Sequence, residues 1–297
     1  MKQFKGIYAA LMTPFGKDGK VNFDAMGKLI DRCIRSGVNG FYVCGSTGEG
    51  LLLSVRERNE IYAFVGEYAA GRAKLIAHVG SLATRDAVAM AKNVRKCGFD
   101  AVSAVPPFYY AYGFEEIAGY YRAIADAAEL PVIVYNFPNA GTKFTIRDIE
   151  ELFRDARFAG IKHTSQDLYQ LERYKHLGRE IAVFNGYDEM LLAGLSMGAD
   201  GGIGSTYNCL PRTAVGIYKA FCEGRIADAQ KLQTFLNEFV EQIVRYGVFA
   251  CEKEILTLTG IPMGDCRAPF RPLGEEGKQA MKSIVNKLRE QEGDWKE

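Results

Sequence analysis

The chain has 297 residues, 48% of them hydrophobic and 25% charged, with a formal net charge of +1 at neutral pH. A chain of this size and balance buries a core without staples and presents no global field to nucleic acid, and no basic tract or aromatic–basic interleaving suggests a base-stacking surface. No apolar run is long enough to span a bilayer, and Pro14, Gly16 and Lys17 stop the apolar stretch from Gly6 to Met12 before any small-residue cleavage site, so a cytoplasmic protein with no membrane partner is expected.

Along the chain, short apolar runs alternate with amphipathic stretches. The runs begin near Gly6, Gly40, Lys74, Ala101, Pro131, Phe158, Ile181 and Asp200, at lengths that suit strands covered on both faces. After the first run, Asn22 is placed to cap a helix whose Phe23, Met26, Ile30, Cys33 and Ile34 fall on one face, and Gly37 to end it. Ser54 to Glu57 is a capping-box pattern ahead of Ile61 and Phe64. A helix over Ala87 to Lys96 ends at Gly98, and Thr145 to Asp148 starts another. Eight such units predict a closed (β/α)8 barrel over residues 1–224. An open doubly wound sheet competes, but the first strand ends in Thr13-Pro14-Phe15 with no G-x-G-x-x-G. After Gly224 the pattern is helical only, with segments at Ile226–Tyr246, Ala250–Leu258 and Glu275–Glu290. That predicts a C-terminal helical extension over residues 225–297, packed on the barrel or on a neighbouring subunit.

In such barrels the chemistry sits at the C-terminal ends of the strands. The sixth strand ends Gly160-Ile-Lys162-His163-Thr164, and alternation puts Gly160, Lys162 and Thr164 on one face. The glycine is expected to clear space beside the lysine. An amine inside a barrel loses water, which disfavours its charge and frees its lone pair to attack a ketone. The competing readings are a lysine that snorkels out or pairs with a carboxylate. The fifth strand ends with Tyr135, either a proton shuttle or a packed, hydrogen-bonded tyrosine. Gly45-Ser46-Thr47-Gly48-Glu49 is either an anion-holding turn or an ordinary tight turn, and it lacks the Gly-Lys-Ser/Thr of a P-loop. Gly186-Tyr187-Asp188-Glu189 suits a polyhydroxylated ligand, or a helix start that uses acids to meet its dipole. The three histidines, His78, His163 and His176, show no metal-ligand spacing, so no metal is expected. The seven cysteines form no C-x-x-C pair, and most, including Cys44 and Cys222, sit in apolar surroundings; buried free thiols in a reducing compartment are expected.

Together the strand ends resemble the dihydrodipicolinate synthase/N-acetylneuraminate lyase family of pyruvate-dependent class I aldolases, from about Phe4 through the barrel. The shared motifs are Gly45-Ser-Thr-Gly-Glu49, Tyr135-Asn-x-Pro138 and Gly160-x-Lys162. Three longer strings are similar to the sialic-acid-cleaving subgroup: Lys162 through Gln170, Asn185 through Glu189, and Gly198 through Asn208. The resemblance implies that Lys162 is the Schiff-base lysine and that Tyr135 exchanges the proton of the sugar's C4 hydroxyl. It implies that Ser46 and Thr47 hold the pyruvyl carboxylate, mostly through backbone amides, and that Thr164, Gly186, Asp188, Glu189 and Ser205 contact the hydroxylated tail. Tyr109, with Tyr110 adjacent to it, resembles a tyrosine that reaches a neighbouring subunit's site in a homotetramer. Where the synthases place an arginine for a second carboxylate, this chain has Asn139-Ala140-Gly141, which argues against synthase activity. The implied reaction is reversible cleavage of sialic acid to N-acetylmannosamine and pyruvate without a cofactor. The rivals are another aldolase of the family that acts on a different 2-keto-3-deoxy acid, and a catalytically silent sugar-acid-binding protein.

Overall fold

In the computed structural model, which describes residues 4–140 and 143–293, eight parallel strands close into a barrel in sequence order. They are β1 (Gly6–Ala10), β2 (Gly40–Val43), β3 (Lys74–His78), β4 (Ala101–Ala104), β5 (Val132–Asn136), β6 (Phe158–His163), β7 (Ala182–Asn185) and β8 (Gly201–Gly204). Each begins within a residue of the position read from the sequence. The helices α1 (Phe23–Arg35), α2 (Val55–Ala69), α3 (Thr84–Val94), α4 (Phe114–Ala128), α5 (Ile146–Leu152), α6 (Leu168–Tyr174), α7 (Leu191–Ser196) and α8 (Pro211–Cys222) follow the strands in turn.

The local signals act as expected where a side chain carries them. Asn22 accepts from Ala25 N–H at 3.1 Å, and Ser54/Glu57 and Thr145/Asp148 close reciprocal capping boxes. α3 starts at Thr84 rather than Ala87, because its first residue follows Ala83, which has no side chain to cap and so leaves no mark in the sequence.

Strand alternation divides the barrel into two apolar layers. Tyr8, Tyr42, Ile76, Ile133, Tyr135 and Phe184 face the barrel axis. Ile7, Phe41, Leu75, Val102, Val134 and Ile161 face the helices. A strand buried on both faces has no polar side to show, which is why the runs read as continuous apolar segments.

After α8 the chain forms α9 (Ile226–Tyr246), α10 (Val248–Leu258) and α11 (Glu275–Glu292). Leu236, Ile255 and Leu288 of these helices join the same apolar cluster as Leu29 of α1 and Ile217 of α8. Two polar ties reinforce this packing. The Glu292 carboxylate accepts from the N–H groups of Arg212 and Thr213, both at 2.8 Å, and so caps α8 from the far end of α11. Lys253 of α10 donates to Glu49 Oε1 at 2.5 Å with both side chains buried, and Arg267 N–H donates to Oε2 at 2.6 Å. Glu49 of the β2 loop is therefore a tether to the extension. Removing one partner of a buried pair strands the other charge, so Lys253→Met is expected to cost about 3–5 kcal/mol, and the double variant Glu49→Gln/Lys253→Met to recover part of that. Urea denaturation checks this; a single variant with an unchanged midpoint would contradict it.

Candidate active site

Lys162 lies in β6, in register with Tyr135 of β5 and Phe184 of β7. Its side chain points into the barrel and is 5% exposed. Nζ sits 4.3 Å from the ring centre of Tyr135 and 4.6 Å from that of Tyr42. Among the described residues it forms no ion pair. Neither snorkelling nor pairing with a carboxylate therefore occurs. Gly160, however, does not clear space beside the amine. A Cβ there would press on the Ala182 carbonyl and the Ile133 side chain, so the missing side chain serves strand packing one layer below the lysine.

Residues that sequence reasoning passed over complete the surroundings of the amine. Tyr42 makes an edge-on contact with Tyr135 at 6.0 Å, and its hydroxyl shares a 2.9 Å hydrogen bond with Ser103. Burial holds the Tyr42 phenol well above its ordinary range. His78 packs beside both rings. Its Nε2 accepts from Val105 N–H at 3.0 Å, and its Nδ1 donates to the Cys44 carbonyl at 3.1 Å, which fixes the neutral tautomer. Burial, then the Arg58 guanidinium, pushes the imidazole well below its usual range. The signal for Tyr42 and Ser103 was strand parity: each lies two residues after an inward position of its own strand, but only the register shows that they meet.

The β2 loop turns sharply at both ends, with Cys44 at φ 58° and Glu49 at φ 55°. Internal bonds fix it: Glu49 N–H donates to the Ser46 carbonyl and Gly50 N–H to that of Gly45, both at 3.0 Å, and the Thr13 hydroxyl donates to the Gly48 carbonyl at 2.7 Å. The N–H groups of Ser46 and Thr47 engage no acceptor among the described residues. Thr47 is buried and Ser46 exposed. Two free amides in a fixed loop are donors of the kind that can hold an anion.

Across the barrel mouth lie the polar groups of β6, β7 and β8. Thr164 Oγ1 is buried, has no hydrogen-bond partner, and occupies the space that a side chain at Gly186 would fill. Asp188 is buried, and its Oδ2 accepts from Thr206 N–H at 2.8 Å and from the Thr206 hydroxyl at 2.7 Å. Its carboxylate thus braces the β8 loop and does not cap α7. Its Oδ1 lies where a side chain at Gly204 would otherwise project. Burial raises its pKa to about 6, against the pull of the Thr206 hydrogen bonds and of Lys162 and with the push of Glu189. Glu189 is half-buried and accepts no hydrogen bond from the described residues. Ser205 sits between Gly204 and Thr206 at the end of β8.

Asn139 donates to the Tyr187 hydroxyl at 3.2 Å across the mouth, so a neutral bridge stands in the segment where a second carboxylate would need an arginine. Gly141 lies outside the described residues. Tyr109 and Tyr110, on the loop after β4, are 75% and 68% exposed and stack edge to face at 5.0 Å. With Tyr112 and Phe114 they line a separate surface cavity of about 430 Å³, away from the chain's own lysine. His163 faces outward from β6, accepting from Asn136 and donating to the Asp167 carbonyl, and His176 pairs with Glu172. Among the described residues no group of three or more His, Cys, Asp or Glu side chains is placed to hold a metal ion. All seven cysteines are free, five of them buried and Cys97 half-buried. Cys222, expected to be buried, is exposed, because it ends α8 on the solvent side.

A model of the dihydrodipicolinate synthetase family matches residues 3–288. An N-acetylneuraminate lyase of Rhizobium meliloti is 43% identical over 283 residues, 95% of each chain. The structure of CdNal from Clostridium difficile in complex with mannosamine superposes with a TM-score of 0.94 at 35% identity, covering 97% of this chain and all of that one. An N-acetylneuraminate lyase of Fusobacterium nucleatum complexed with pyruvate superposes with a TM-score of 0.91 at 36% identity, covering 96% of this chain and 97% of that one.

Proposed function

The chain belongs to the dihydrodipicolinate synthetase family, and on that premise we propose that it reversibly cleaves N-acetylneuraminate to N-acetylmannosamine and pyruvate through a Schiff base on Lys162. The observation that carries this reading is a lysine amine inside the barrel, ringed by Tyr42 and Tyr135, in a chain whose β2 loop has two free amides.

Lys162 Nζ adds to the C2 ketone and water leaves, giving an iminium. The free amides of Ser46 and Thr47 receive the adjacent carboxylate. The iminium draws the C3–C4 bonding pair toward C2 as the bond breaks, and Tyr135 takes the C4 hydroxyl proton. N-acetylmannosamine departs, C3 of the enamine is protonated, and water hydrolyses the iminium to free pyruvate and restore the amine. Dividing the reaction at a covalent intermediate lowers each barrier. No metal or organic cofactor is required.

Thr164, Gly186, Asp188, Glu189 and Ser205 receive the hydroxylated tail, with carboxylates accepting from vicinal hydroxyls. The exposed Tyr109–Tyr110 face is the contact to a neighbouring subunit of a homotetramer, with Tyr109 reaching the neighbour's site. Residues 1–224 form the catalytic barrel and residues 225–297 the extension that braces it. The seven free thiols fit a reducing, cytoplasmic setting.

The pH response of Asp188 follows from its raised pKa. Its folded value, about 6, lies above the ordinary carboxylate value of 3.8. The folded state therefore holds the proton longer, and this group's contribution to stability falls as pH rises from about 4 to about 6, then stays constant. Only the ionised form accepts hydroxyl hydrogens through both oxygens. The KM for N-acetylneuraminate is therefore expected to fall as pH rises through about 6, while the KM for pyruvate in condensation does not follow it.

A panel of 2-keto-3-deoxy acids, assayed by pyruvate release, tests the substrate. N-acetylneuraminate is expected to give the highest kcat/KM. A tenfold better substrate of another class would replace it with a different aldolase of the family, and tight binding without release would indicate a silent binding protein.

A further inference from the structure

The polar end of the site has a neighbour that no step above uses. Glu252 belongs to α10 and is fully buried, with no hydrogen-bond partner for either carboxyl oxygen. Its backbone is held against the segment after β8, where its carbonyl accepts from Cys209 Sγ at 3.6 Å. Its neighbour Lys253 is engaged with Glu49. A buried carboxyl with both oxygens unmatched is costly, and native proteins rarely keep one without a use. The Cys209 contact sets it beside the segment that runs from Ser205 to Cys209 after β8, the same segment whose Thr206 holds Asp188.

We infer that Glu252 is a positioning residue that sets substrate specificity, its buried carboxyl orienting the Ser205 hydroxyl toward the polyhydroxylated tail. The inference rests on the reaction proposed above. Burial pushes the Glu252 carboxyl well above its usual range, the Ser205 hydroxyl pulls it back, and the Asp188 carboxylate raises it again. Held neutral, the carboxyl has a proton to donate. It gives that proton to Ser205 Oγ, and the serine's own hydrogen turns to a hydroxyl oxygen of the ligand. Asp188 then accepts hydroxyl hydrogens while Ser205 donates one. The pair reads vicinal hydroxyls in a fixed sense, and α10 of the extension takes part in recognition.

Condensation of pyruvate with N-acetylmannosamine, measured at pH 7 on the full chain, separates the two substrates. E252L is expected to raise the KM for N-acetylmannosamine about 5- to 10-fold, the loss of one oriented hydrogen bond. The KM for pyruvate and the borohydride trapping of pyruvate are expected to stay within about twofold, as for a variant whose lysine end is intact. E252Q, which keeps a neutral donor, is expected to stay within about twofold for both substrates. In an S205A background, E252L is expected to add no further rise, because its effect passes through that hydroxyl. A fivefold or larger rise for E252Q, an equal rise in both KM values, or a full additional rise on S205A overturns the inference. Should E252L fail to fold, E252Q alone decides by the same limit. Failure of the underlying reaction shows separately, as a wild-type protein that traps no pyruvate.

Discussion

The Lys162→Ala protein is expected to fold, bind sugar acids and turn nothing over. The variant removes an amine that makes only ring contacts, with Tyr135 at 4.3 Å and Tyr42 at 4.6 Å. Among the described residues no carboxylate is left unpaired by its loss, so the thermal midpoint is expected to stay level or rise. The chemistry has no second route. Without an iminium the C3–C4 electrons have no sink, and the rate is expected to fall by roughly 10⁶-fold or more, the lower bound of enzymatic acceleration over the uncatalysed reaction. Pyruvate release from N-acetylneuraminate, coupled to a reporter dehydrogenase, measures this. Residual turnover within tenfold of wild type would remove the lysine from the mechanism.

Tyr135→Phe is expected to separate the covalent step from the proton transfer. The ring keeps its contacts with Tyr42 and its stacking on Phe137 at 5.9 Å, so the pocket retains its shape. Only the phenol is lost. Cleavage of N-acetylneuraminate is expected to fall in kcat by about 10²–10⁴-fold, the range for a placed general acid or base. Pyruvate is still expected to form its Schiff base with Lys162, and KM to change little. A Tyr135→Phe protein with normal kcat would assign the proton transfer elsewhere, and Tyr42, whose ring centre lies 4.6 Å from the Lys162 amine, is then the next residue to vary.

The barrel was legible because its physics is local. A strand covered on both faces must be apolar throughout, and a helix between strands must show a stripe and a cap. Strand starts were thus readable to a residue, while the start of α3 was not, since Ala83 carries no capping group. Lys162 and Tyr135 were legible because a strand end and its parity identify inward side chains. What escaped was whatever depends on register and on distant packing. Tyr42 and Ser103 meet only because β2, β3 and β4 bring them to the same level, and His78 joins them through Cys44 and Val105. Gly160 illustrates the limit in reverse: its neighbours in sequence suggested space for the amine, whereas its neighbours in space are Ile133 and Ala182. Glu49 and Glu252 depend on α10, some 200 residues beyond the β2 loop, a separation across which no sequence period carries information.

Borohydride reduction in the presence of labelled pyruvate, followed by peptide mass mapping, tests the central claim most directly. The account predicts one reduced pyruvyl adduct, on the peptide that contains Lys162, and none in the Lys162→Ala protein. An adduct on another lysine, or none at all from a folded protein saturated with pyruvate, would contradict it.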